Sequence, residues 1–336
     1  MLEQKIAMGS LTLKNRLVMA PYALEKSDKG AVTEDLLKFY EERTKSGHVG
    51  LVVIENSCVH EEGRTTPNQL SCAHDEDIDG LSRLAATIHK SGAAAVIQFC
   101  YAGAAAKKGV IDHESVSPSG IANPYGILGP GELQETHAMT QGEIDGVVAA
   151  FAEAALRAKK AGFDGVELQS STGYLLNQFF SPLTNHRTDR YTGQTVAGRI
   201  QLHREILAAI RKEVGAGFCL GIRIGSDYME GGSTPEDCAE AAGRMEQDLD
   251  FLDVSGGLCF FFRPGHKEPG YFSDTAEAIK KKVHLPVILA GGMKTRQDAE
   301  SFLRSGKADL IGFGRSMANK PSFFEELMAE ERKGFK

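Results

Sequence analysis

Two glycine-bearing turns stand out chemically: Gly291-Gly292 and Gly314-Arg315, each directly after a short apolar run. Glycines let backbone N–H groups approach an anion, and an arginine adds a forked, permanently charged donor. Gly291-Gly292 alone would serve equally as a tight turn, but Gly314-Arg315 in the matching place after the next run favours a phosphate. Arg223 ends another apolar run, Cys219-Leu220-Gly221-Ile222-Arg223-Ile224. A charge there needs a partner to offset its desolvation. That partner is either an anionic ligand or an internal carboxylate, Glu167 or Asp253. Gln98 also closes an apolar run, and its amide offers a donor and an acceptor that suit the edge of a heterocycle; a bond to backbone would explain it as well.

The elements that would position these residues alternate short β-branched runs with longer amphipathic stretches, the pattern of parallel βα units. Eight strands are predicted, over residues 16–20, 51–55, 94–99, 165–169, 219–224, 251–255, 286–290 and 310–313. Thr140 with Glu143 forms a capping box, Thr234-Pro235 opens another helix, and Thr295 precedes Asp298 at the same offset. Ile144, Val147, Val148, Phe151, Ala155 and Ala158 fall on one helical stripe, fit to lie against a barrel wall. Before the first strand, Ile6, Met8, Leu11 and Leu13 alternate around Gly9-Ser10, a hairpin able to plug the bottom of a barrel. The expected fold is an α/β (β/α)8 TIM barrel with an N-terminal β-hairpin, forming one domain over residues 1–336. Its working residues then lie at the carboxyl ends of the strands. An open doubly wound sheet would need a glycine-rich turn after strand one, where Ala20-Pro21-Tyr22-Ala23 stands instead.

Composition agrees: 336 residues, 42% hydrophobic and 25% charged, are enough for a full core. A formal charge of -7 argues against nucleic acid as a partner. No apolar run reaches spanning length and the start, MLEQKIAMGS, does not look like a signal peptide, so a cytoplasmic protein with no membrane partner is expected. The six cysteines contain no C-x-x-C pair, which fits buried thiols and no metal centre.

The segments 9–21, 161–168, 173–179, 185–191, 269–271 and 309–315 together resemble the old yellow enzyme family, in order and over nearly the whole chain. The resemblance implies bound FMN, held by Ala20, Pro21, Tyr22 and Ala23, by Asn56, Gln98 and Arg223, and at its phosphate by Gly291, Gly292, Gly314 and Arg315. It implies NADPH or NADH as reductant and hydride transfer to an activated alkene, with Tyr174 as the proton donor. The family's two histidines after strand four are replaced by Gln169 and Thr172, so weak turnover of simple enones is expected. Further departures, Tyr101, Ala104, Tyr22 and Glu25, put a carboxylate and an extra tyrosine near the mouth. Glu25 and Tyr101 are therefore candidate substrate contacts, and an amine dehydrogenase or demethylase is the alternative activity. A flavin-binding protein without ene reduction is a third reading. Longer members carry an iron–sulfur cluster and further domains after the barrel; with none here, direct reduction by a nicotinamide or by a partner protein is expected. The loop 258–263 is unusually apolar, and would line the pocket, meet a second subunit in a homo-oligomer or fold back on the barrel.

Overall fold

In the computed structural model, which describes residues 1–124, 126 and 131–330, the chain begins with the predicted hairpin. Strands β1 (Ile6–Met8) and β2 (Leu11–Leu13) pair antiparallel, Met8 opposite Leu11. Gly9 makes the turn at φ 56, and a Cβ there would strike the Asp250 side chain, so glycine is required twice over.

Eight parallel strands follow and close on themselves. They are β3 (Leu17–Met19), β4 (Leu51–Cys58), β5 (Ala94–Cys100), β8 (Gly165–Ser170), β9 (Cys219–Ile224), β10 (Phe251–Val254), β11 (Val287–Ala290) and β12 (Leu310–Phe313), with β12 returning to β3. Two three-residue strands, β6 (Ser115–Ser117) and β7 (Thr136–Ala138), pair in the long connection after β5. All eight barrel strands lie where the sequence predicts them. β4 runs three residues further, because the backbone bulges and resumes its pairing beyond Glu55.

The helices are α1 (Glu34–Thr44), α2 (Asp77–His89), α3 (Gln141–Lys160), α4 (Leu175–Phe180), α5 (Val196–Arg199), α6 (Gln201–Val214), α7 (Pro235–Met245), α8 (Ser273–Lys280), α9 (Arg296–Arg304), α10 (Arg315–Asn319) and α11 (Phe323–Ala329). Thr33, Thr140, Thr234 and Thr295 each accept a hydrogen bond from the first turn of their helix, and the last three form full capping boxes. Each cap is worth about 1 kcal/mol. On α3 the buried residues include Ile144, Val147, Phe151, Ala155 and Ala158 of the expected stripe, and Val148 is half-buried at its margin.

Side chains alternate across each barrel strand. Outward residues such as Val52, Ile97, Val166, Leu220 and Leu252 join the helices in the main core. Inward residues Val18, Leu51, Val53, Val96, Cys219, Phe251, Ile288 and Leu310 form a second cluster, closed from below by Met8 and Leu13 of the hairpin. Burying each of these large side chains contributes roughly 1.5–3 kcal/mol. Gly221 makes room for the ring of Phe251 across this lower tier. All six cysteines are free and buried. Among the described residues no helix is long and apolar enough to cross a membrane, and no group of three or more His, Cys, Asp or Glu could hold a metal ion.

Candidate active site

Two to four residues further along the same inward faces, the barrel lining changes from apolar to polar and charged. The alternation that points Val96, Cys219 and Phe251 inward also points Gln98, Arg223 and Asp253 inward, with Glu167 beside Gln98 in the register. Gln98 Nε2 donates to Glu167 Oε1 at 2.6 Å. Arg223 stands opposite Asp253, and its Nη1 lies 3.2 Å from Asp253 Oδ2 without hydrogen-bond alignment. Of the two internal carboxylates the sequence offers Arg223, Asp253 is the one at ion-pair distance. The pair leaves the rest of the guanidinium fork without a protein partner among the described residues.

The bulge in β4 shapes the next wall. Ile54 pairs Ile97 and Ser57 pairs Phe99, so Glu55 and Asn56 together stand opposite Gln98. Asn56 Nδ2 donates to the Tyr174 hydroxyl at 3.2 Å. Glu55 turns the other way: its Oε2 accepts the backbone N–H of Leu24 at 2.7 Å, which anchors the loop after β3, while Oε1 is buried without a hydrogen bond. Burial pushes the Glu55 carboxyl up to about 8. In the anchored loop Ala20 is buried, Pro21 half-buried, and Tyr22 and Ala23 exposed.

The end of β8 carries Gln169, and the loop after it carries Thr172 and Tyr174. Ser171 Oγ donates to Gln169 Oε1 at 2.9 Å, and Gln169 Nε2 donates to Thr172 Oγ1 at 3.0 Å. The hydroxyl proton of Thr172 is left over. Gln169 and Thr172 thus act in series, unlike two independent donors. Thr172 has φ 56, a strained conformation for a β-branched residue, fixed by its N–H bond to Gly256 O at 3.0 Å. Burial raises the pKa of the half-buried Tyr174 phenol, so it keeps its proton at neutral pH.

At the far side, Gly291 and Gly292 have φ 128 and 69. A Cβ on either would press on the Tyr271 ring. A Cβ on Gly314 would meet nothing within 4 Å, so the turn into α10 is open there. Among the described residues, Arg315 is held by a 3.3 Å contact from Nη2 to the Tyr271 hydroxyl and by the face of the Phe261 ring, 5.6 Å from its centroid. Glycine backbone, open space and a weakly engaged guanidinium suit a phosphate.

The two proposed substrate contacts are not alike. Glu25 is exposed and accepts from Thr66 Oγ1 at 2.6 Å, whereas Tyr101 is 5% exposed with its ring against Gly63. The apolar loop 258–263 divides: Leu258, Cys259 and Phe260 fold onto the barrel, while Phe261 and Phe262 are exposed. Asp227, which the motifs did not single out, anchors that loop. Its carboxylate accepts from Leu258 N at 2.7 Å, Ser181 Oγ at 2.7 Å and Ser233 N at 2.8 Å. A polar residue directly after the fifth strand, in Gly225-Ser226-Asp227, was the available signal.

A closed parallel barrel with a polar upper tier and glycine turns after each of its last two strands has the form in which barrel enzymes commonly bind a phosphate-bearing ligand. The chain belongs to the NADH:flavin oxidoreductase / NADH oxidase family, whose profile matches residues 2–333, in agreement with the old yellow enzyme resemblance. It is 36% identical over 327 residues to a metal reductase of Desulforamulus reducens, covering 96% of this chain and 48% of that protein. It therefore spans about half the length of that relative. An NADPH dehydrogenase of Halalkalibacterium halodurans is 36% identical over 323 residues, 95% of this chain and 91% of its own. The crystal structure of the old yellow enzyme homologue from Zymomonas mobilis superposes with a TM-score of 0.82 at 26% identity, covering 97% of this chain and 92% of that one.

Proposed function

We propose that the chain is an FMN-dependent oxidoreductase that takes reducing equivalents from NADPH or NADH and passes them to an activated alkene. The observation that carries this reading is the Tyr174 hydroxyl. It accepts from Asn56 Nδ2, so its own proton is unspent on the same loop that carries Thr172. FMN, when bound, supplies the two-electron carrier between nicotinamide and alkene. Gln98 and the open side of Arg223 fit its polar ring edge, and the backbone at Gly291, Gly292 and Gly314 with Arg315 fits its phosphate. Ala20, Pro21, Tyr22 and Ala23, on the loop that Glu55 anchors, and Asn56 complete the cradle.

Thr172 Oγ1 donates to the carbonyl or nitro oxygen of the substrate, with Gln169 orienting it. Tyr174 Oη holds the proton for the α-carbon. One neutral hydroxyl polarises the oxygen less than two imidazoles would, which favours alkenes already strongly activated over simple enones. An amine substrate has less support, because Glu25 is engaged by Thr66 and Tyr101 is covered.

An absorbance spectrum of the purified chain, followed by anaerobic titration with each nicotinamide and reoxidation by cyclohexenone, tests the reading. The expected results are a yellow protein, bleaching by a nicotinamide, and reoxidation that is slow and slower still, by roughly 10²-fold, in Tyr174→Phe. A colourless chain that takes up no FMN, or bleaching by amines without nicotinamide, would overturn it.

A further inference from the structure

The upper tier of the barrel holds two carboxyls closed to water beside one cation that keeps some exposure. Glu167 and Asp253 are both fully buried. Three of their four oxygens, Glu167 Oε2 and both of Asp253, have no hydrogen bond, although buried polar atoms are almost always paired. Desolvating an unpaired carboxylate costs several kcal/mol, and a second one beside it adds repulsion. A proton on Glu167 Oε2, directed at Asp253, removes both costs at once.

We propose that Glu167 and Asp253 share one proton and act from below the mouth as a positioning pair for Arg223 and Gln98. Asp253 is the carboxylate that holds Arg223. Glu167 is the neutral acid whose Oε1 takes the amide N–H of Gln98, and this turns the carbonyl oxygen of Gln98 toward the mouth. The tier then has one positive and one negative charge and is neutral as a whole. The surrounding groups agree: β5 presents the uncharged Gln98, β9 presents Arg223, and the Tyr271 phenol also lies within electrostatic reach of Arg223. Burial and the neighbouring Asp253 push Glu167 well above the carboxylate range, whereas burial raises Asp253 only to about 6 because Arg223 opposes the shift.

The proposal rests on the flavin reading for its consequence, the midpoint potential, but not for the shared proton. An infrared difference spectrum of the purified chain at neutral pH, wild type minus Glu167→Gln, is expected to show a carboxylic-acid carbonyl band that belongs to Glu167. With FMN loaded, Asp253→Asn is expected to shift the midpoint potential upward, because Arg223 is no longer neutralised. Glu167→Gln is expected to leave it in place, since a neutral group replaces a neutral group. Absence of the acid band, or a rise in Glu167→Gln equal to that in Asp253→Asn, overturns the proposal. If Asp253→Asn does not fold, the infrared band and Glu167→Gln still decide. A chain that binds no FMN defeats the flavin reading, and the infrared band then decides the shared proton alone.

Discussion

Replacing Glu55 by glutamine should flatten the pH dependence of stability. The carboxyl is buried, with one oxygen on Leu24 N–H and the other without a hydrogen bond, and its pKa rises from 4.5 to about 8. Between those values the folded chain keeps a proton that the unfolded chain has released. The folded state binds more protons there, so stability falls as pH rises and the loss is complete above about 8. At ~1.4 kcal/mol for each tenfold change in proton affinity, the loss is at most about 5 kcal/mol. Glu55→Gln keeps an oxygen for the Leu24 N–H and removes the titration. Urea denaturation at about pH 5, 7 and 9 should therefore give wild-type and variant stabilities that nearly coincide at the lowest pH, with the variant ahead by several kcal/mol at the highest. Glu167 and Asp253 titrate in both chains and cancel in the difference. If the two curves run parallel, Glu55 is not a buried acid and the argument fails.

Arg315→Ala should weaken FMN binding about 10- to 100-fold, the worth of one charge-assisted contact, and leave riboflavin uptake unchanged, as fluorescence titration with both ligands will show. Asp227→Ala strands two backbone N–H groups and a serine hydroxyl, and should cost about 3–5 kcal/mol in chemical denaturation, with Asp227→Asn in between. Thr172→Asn, which tolerates φ 56 and keeps an acceptor for Gln169 Nε2, should raise stability by about 1 kcal/mol in urea denaturation, while enone reoxidation slows; a variant destabilised by more than about 1 kcal/mol would show that Thr172 is not strained.

Much of the framework is legible in the residues. The inward and outward alternation of Val96, Ile97 and Gln98 marks both a strand and the height at which the lining turns polar, and the Thr-x-x-acid pairs mark the helix starts. For Arg223 the residues offer an anionic ligand or one of two internal carboxylates, Glu167 and Asp253, and the ion pair with Asp253 is the one the fold forms. Three features escaped. The bulge at Glu55–Asn56 changes the period of a strand without changing its composition, so the strand appears to end early. The clasp at Asp227 depends on three segments distant in sequence, which no local pattern reports. The serial bonding of Gln169 and Thr172 depends on Ser171 and on a positive φ at Thr172, and neither shows in a motif that reads the positions singly.

The extra residue in β4 has a mechanical consequence. Because two successive side chains leave the same rung in different directions, one strand grips the segment after the first barrel strand with Glu55 and the tyrosine after the fourth with Asn56. The two lips on either side of the opening are thus sewn to a common post. Trimming one residue from that post would restore a regular ladder and untie one of the lips, so the opening owes its spacing to an irregularity of the backbone.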